Sequence, residues 1–128
     1  MLRRKILTSL AITIFLSFLA STALAGTTSF NVIVPSFGRC ANTSLTTKNT
    51  TTNAWAFYNL TVGGSKTLRF RPLKNNSPVG NFYDGTTGSY VWGPYTSSQG
   101  VGAQIYGQIC TKSLELVNVQ VLGTFDSN

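Results

Sequence analysis

The chain has 128 residues, with ten Lys and Arg against three Asp and Glu, two cysteines and no histidine. The lack of histidine excludes Ser-His and Cys-His nucleophile pairs, histidine zinc sites and the H-E-x-x-H helix of metalloproteases. Asp84, Glu115 and Asp126 are the whole stock of carboxylates, too few and too scattered in sequence for a calcium site.

Arg3, Arg4 and Lys5 precede an apolar run from Ile6 to Ala20, and small residues follow at Ala23-Leu24-Ala25-Gly26. This is the three-part layout of a secretory signal, with cleavage expected after Ala25. A retained membrane anchor is the alternative, because Ile6 to Ala25 approaches the length needed to cross a bilayer. Thr8, Ser9, Thr13 and Ser17 within the run, and its small-residue end, favour the signal. Residues 1–25 are therefore expected to be removed, leaving residues 26–128 as a single secreted β domain. Beyond residue 25 the cations are Arg39, Lys48, Lys66, Arg69, Arg71, Lys74 and Lys112, so the net charge there is +4 rather than the +7 of the whole chain.

Phe30, Val32 and Val34 alternate with Asn31 and Ile33 before Pro35, which predicts a first strand with one apolar face. The run Ala54 to Val62 places Trp55 and Phe57 on one side and Ala56, Tyr58, Leu60 and Val62 on the other, as expected of a central, covered strand. Gly63-Gly64 predicts a hairpin turn into Lys66 to Pro72, where Leu68 and Phe70 alternate with Arg69 and Arg71. A second hairpin is expected from Asn81-Phe82-Tyr83 through Asp84 to Gly88 into Tyr90-Val91-Trp92. Ala103, Ile105, Gly107 and Ile109 alternate with Gln104, Tyr106, Gln108 and Cys110. A last strand is expected from Leu116 to Leu122, with Val117, Val119 and Val121 on one face. Asn42 to Asn53, rich in Thr and Asn, reads as a loop or edge strand.

Six or seven short strands and no sustained 3.6-residue period predict an all-β fold, a small antiparallel β-sandwich with a small barrel as the alternative. In an exported domain Cys40 and Cys110 are expected to form one disulfide, tying the two sheets of the sandwich together. The chain-entropy model credits so long a closed loop with roughly 4 kcal/mol. A reactive thiol lacks both a C-x-x-C spacing and an activating histidine.

An enzyme is not expected. A glycosidase pair would need two of the three carboxylates, but Asp84 sits in a D-G turn signal and Asp126 lies near the chain end. Ser65-Lys66 and Lys112-Ser113 are sequence neighbours in turn-like contexts, and Gly100-Val101-Gly102 lacks the later glycine and helix of a dinucleotide fingerprint. No cofactor and no metal are expected.

Two features remain for binding. Lys66, Arg69, Arg71 and Lys74 form a basic ladder in which Arg69 and Arg71, at i and i+2, share a strand face; two guanidinium forks about 7 Å apart suit phosphates or carboxylates. Charges that merely solvate a strand or guard an edge are the plainer reading. Phe82, Tyr83, Tyr90, Trp92 and Tyr95 form an aromatic stretch suited to stacking on sugars or to a membrane interface, although alternate members must fill a core.

The export-signal layout, Asn53-Ala54-Trp55, Gly102-Ala103 and the ending Leu122-Gly123-Thr124-Phe125-Asp126 resemble small secreted proteins of Gram-positive bacteria, a group without an assigned function. That resemblance implies a bacterial exported β domain and carries no functional residues. The expected function is a non-catalytic binding or interaction protein at an anionic cell-envelope surface, with a wall polymer, a membrane surface or an extracellular protein as partner. A bacteriocin-like antimicrobial or membrane-active toxin is the alternative, and an inhibitor using the Asp84 to Gly88 turn is a third. Nucleic acid is disfavoured by seven dispersed cations.

Overall fold

The computed structural model describes residues 26–128; the expected export signal lies outside them. Ten strands run β1 Thr27–Val34, β2 Cys40–Asn42, β3 Thr46–Thr47, β4 Ala54–Val62, β5 Leu68–Lys74, β6 Ser77–Pro78, β7 Tyr83–Gly85, β8 Val91–Pro94, β9 Gln104–Cys110 and β10 Val119–Asp126. They form two antiparallel sheets with no closed barrel. The first has the order β1-β10-β4-β8, and in the second β9 and β5 are central, flanked by β2 and β3 on one side and β6 and β7 on the other.

The first and last strands pair along their whole length, from Thr27 against Asp126 to Val34 against Val119. Among the described residues the buried apolar cluster runs from Phe30 to Phe125. Its centre is Phe57, whose ring meets Phe125 at 4.7 Å, Phe70 at 5.0 Å, Trp55 at 5.8 Å and Phe30 at 6.1 Å between centroids. Gly107 of the opposite sheet allows this, because a Cβ there would stand 2.6 Å from the Phe57 ring. The two sheets close on one aromatic plug seated against a glycine.

Strand β4 departs from simple alternation. Leu122 pairs Thr61 and Thr124 pairs Tyr58, so Asn59 and Leu60 together oppose the single residue Gly123. Asn59 has φ +54, a left-handed conformation that asparagine tolerates better than most residues. This β-bulge shifts the facing by one residue, and Trp55, Phe57, Leu60 and Val62 all enter the core. The expectation that Leu60 and Val62 face away from Trp55 and Phe57 is corrected by that one extra residue.

Neither expected hairpin forms. Strand β4 pairs β10 and β8, whereas β5 pairs β9, β6 and β7, so Gly63–Ser65 is a single 3-10 turn that carries the chain from one sheet to the other. Strands β7 and β8 are likewise separated, β7 on β5 and β8 on β4. The loop between them wraps the end of β4: Thr87 Oγ1 accepts from the Val62 N–H at 2.9 Å and the Gly88 N–H donates to the Leu60 carbonyl at 2.9 Å. Both hydrogen-bonding edges of β4 are occupied, by β10 and β8, which leaves no edge for its sequence neighbour β5. The tight hairpin is instead β5 to β6, where Asn75 and Asn76 have φ +50 and +62, as a two-residue turn of mirror-image type requires.

The disulfide is Cys40 to Cys110, with a sequence separation of 70. These residues are direct cross-strand partners on β2 and β9, so the bridge lies within the second sheet and does not join the two sheets. The last strand starts later and ends later than expected: Leu116 and Val117 are exposed in a loop, while Phe125 is buried.

Candidate functional site: two guanidinium groups on one ring

Strand β5 turns Leu68 and Phe70 into the core and Arg69 and Arg71 outward, as its alternation dictates. Its neighbour β7 pairs Phe70 with Tyr83 and Arg69 with Asp84, so the next step of the register sets Phe82 opposite Arg71. The Arg71 guanidinium carbon lies 4.0 Å from the Phe82 ring centroid and that of Arg69 lies 4.6 Å from it. Both cations are thus held against one aromatic ring, each in cation–π range.

A side-chain oxygen from β9 and a backbone oxygen just beyond its end fix the forks. Arg71 Nε donates to Gln108 Oε1 at 2.7 Å and an Arg69 terminal nitrogen donates to the Thr111 carbonyl at 3.2 Å. Arg69 Nε is buried without a hydrogen-bond partner. Partial burial, and then the neighbouring Arg69 charge, push the Arg71 guanidinium below its ordinary value.

The carboxylates of the described residues are engaged elsewhere. Asp84, the cross-strand neighbour of Arg69, turns its Oδ2 to Lys112 Nζ at 2.6 Å. Glu115 pairs with Lys66 at 3.2 Å, and Asp126 accepts the Asn128 N–H at 2.8 Å on the other sheet. Two adjacent cations therefore stand side by side with no carboxylate within ion-pair distance of either. Such a like-charged pair is the arrangement a phosphate or carboxylate completes, each fork offering parallel N–H donors.

The other basic residues of the ladder separate from this pair. Lys66 serves the Glu115 contact, and Lys74 stands at the far end of β5 beside the Asn75-Asn76 turn. Lys48 is fully buried, its Nζ donating to the Thr52 carbonyl and lying 5.5 Å from the Tyr95 ring. Burial lowers its pKa, and Asp126 works against that. It is a structural cation, one of the seven counted beyond residue 25, and it does not reach the surface.

The aromatic stretch divides among several places. Phe82 belongs to the arginine pair. Tyr83 packs against Trp55 at 5.7 Å along the open side of the sandwich. Tyr90 and Trp92 are 65% and 61% exposed, and Tyr90 stacks on Tyr58 at 6.0 Å. Tyr95 is removed from any surface role: it is buried, its hydroxyl donates to the Ser127 carbonyl at 2.7 Å, and burial drives its pKa upward. Alternation within β8, Val91 and Gly93 inward against Trp92 outward, accounts for this division.

Among the described residues no group of three or more His, Cys, Asp or Glu could hold a metal ion, and no helix is long and apolar enough to cross a membrane. The chain matches no family model, no curated protein and no solved structure.

Proposed function

We propose that this chain is a secreted, non-catalytic binding protein that attaches to an anionic polymer of the cell envelope through Arg69, Arg71 and Phe82. The observation that carries this reading is the arginine pair itself, two guanidinium groups on one ring with no carboxylate beside them. Like charges so close repel, and an arriving phosphate or carboxylate relieves that repulsion as well as accepting hydrogen bonds. Gln108 and Thr111 preorganise the donors, so little side-chain freedom is lost on binding.

The secreted reading draws on the basic-apolar-small layout of residues 1–25 and on a disulfide, a bond that persists in oxidising compartments. The non-catalytic reading draws on the lack of histidine and on three carboxylates distributed over β7, β10 and a loop. The test is co-sedimentation of residues 26–128 with isolated bacterial wall at low and high salt. Binding should weaken with salt and fall about tenfold or more in the Arg69→Ala plus Arg71→Ala variant. Equal sedimentation of variant and parent would refute the assignment.

A further inference from the structure

One end of the sandwich carries apolar side chains that no other described residue covers. Two loops meet there, residues 35–39 after β1 and residues 111–118 after β9. The Phe37 N–H donates to the Glu115 carbonyl at 2.8 Å, the Ser36 N–H to Asn118 Oδ1 at 3.0 Å, and the Gly38 N–H to Thr111 Oγ1 at 3.0 Å. These bonds hold both backbones while the side chains of Phe37, Leu114, Leu116 and Val117 stand out into solvent, 60%, 88%, 74% and 51% exposed. Four large apolar groups on two abutting loops form a patch of the kind that marks a contact surface.

Phe37 has φ +60, a left-handed backbone that a bulky residue rarely adopts. A strained conformation that leaves an aromatic ring outside the core points to a role for the ring at the surface. The polar half of the loops is drawn inward instead. Glu115, between the two leucines, has a side chain only 14% exposed; it pairs with Lys66 at 3.2 Å and accepts the Val117 N–H. The acid is thus neutralised and covered, whereas its apolar neighbours are presented.

Charge around the patch selects the occupant. Arg39 is exposed two residues from Phe37, Lys112 is exposed two residues before Leu114, and Arg69 touches Thr111 at the root of the second loop. With Lys66 these are four cations, against the two carboxylates Glu115 and Asp84. A second copy docking tip to tip would bring like charges together, whereas a bilayer with anionic headgroups accepts apolar residues into its acyl boundary and cations at its surface. We propose that this end of the sandwich docks onto a lipid bilayer carrying anionic headgroups, with Leu114, Leu116, Val117 and Phe37 entering the interface. The apolar patch is a surface other than the Phe82 ring, and Arg69, which lies over that ring and reaches Thr111, borders both.

The test uses residues 26–128 and vesicles of phosphatidylglycerol with phosphatidylcholine, or of phosphatidylcholine alone. The protein should sediment with the anionic vesicles, and Leu114→Ser plus Leu116→Ser should weaken that binding about tenfold or more while leaving the urea midpoint in place. In a Leu114→Trp variant, lipids brominated in the acyl chains should quench the added indole on anionic vesicles. The proposal is overturned by absence of vesicle binding in the parent, by undiminished binding of the double serine variant, or by an unquenched indole in the bound Leu114→Trp protein. Vesicle binding that depends on Arg69 and Arg71 but not on the leucines also overturns it, while leaving the anion site intact.

Discussion

The guanidinium of Arg71 rests 4.0 Å from the ring centroid of Phe82, and the same ring supports Arg69 on β5 two residues earlier. The ring sets the spacing of two charges that would otherwise move apart.

Removing the ring should therefore reduce anion binding without changing the net charge. Phe82→Ala is expected to weaken attachment to a polyanion by about three- to tenfold, the size of one or two partly exposed cation–π contacts. Comparing its salt dependence with that of the parent separates geometry from overall charge: the affinity should drop while the slope against salt stays similar. An unchanged affinity would show that Phe82 only fills space.

Replacing Gly123 tests the bulge that brings Leu60 and Val62 into the core. A Cβ at Gly123 would stand 2.8 Å from Leu60 Cδ2, 2.9 Å from Phe30 Cζ and 3.0 Å from the Tyr58 carbonyl oxygen. Gly123→Ala is expected to cost about 1–3 kcal/mol by crowding. At Asn59, whose φ is +54, Asn59→Val should cost about 1–2 kcal/mol, because a branched side chain resists the left-handed region, whereas Asn59→Gly should be better tolerated. Urea denaturation of the three variants measures both effects.

Much of the fold follows from alternation that the sequence displays openly. Phe30 and Val34 in β1, and Ile105 and Ile109 in β9, are buried as their spacing requires. The outward pairing of Arg69 and Arg71 follows in the same way. Phe82 is different: it reaches them only because β7 pairs β5 in one particular register, and register between distant segments leaves little trace in a single sequence. Gly63-Gly64 carried a strong turn signal, yet a turn signal does not say whether the next strand stays in the same sheet. Asn75-Asn76, which is not read as a turn in the sequence, makes the actual hairpin. Leu116 and Val117 read as the beginning of a strand, because exposed apolar residues have the same pattern as buried ones until the neighbouring loop is in place.

The Cys40 to Cys110 bridge closes a loop of 70 residues in a domain whose remaining cross-links are weak interactions. Cys40→Ala plus Cys110→Ala, which leaves no free thiol, should lower the unfolding free energy by roughly 4 kcal/mol on the chain-entropy model. Chemical denaturation of the oxidised parent and the double variant is the measurement. A change below about 1 kcal/mol would mean that pairing of β2 with β9 already restrains the unfolded chain.

Glu115 supplies a pH dependence whose sign is fixed. Partial desolvation pushes its carboxyl up, but the Lys66 ammonium and the Val117 N–H outweigh this and hold it below the ordinary value of 4.5. A carboxyl depressed in the folded state contributes stability that is present above its ordinary value and lost as pH falls through the folded one. Between about pH 5 and pH 3 the parent should therefore lose more stability than Glu115→Gln. The protection factor of the Phe37 amide, whose N–H donates to the Glu115 carbonyl, should fall over the same interval more in the parent than in Glu115→Gln. Parallel pH profiles for the two proteins would contradict this.

The most direct test of the central claim follows the side-chain Nε–H signals of Arg69 and Arg71 by NMR while inorganic polyphosphate is added to residues 26–128. Saturable shifts of both signals, together with the Phe82 ring protons and absent from the Lys74 end of β5, are the predicted result. Polyphosphate that leaves both arginine signals in place, or that shifts all exposed cations alike, would contradict a built anion site at Phe82.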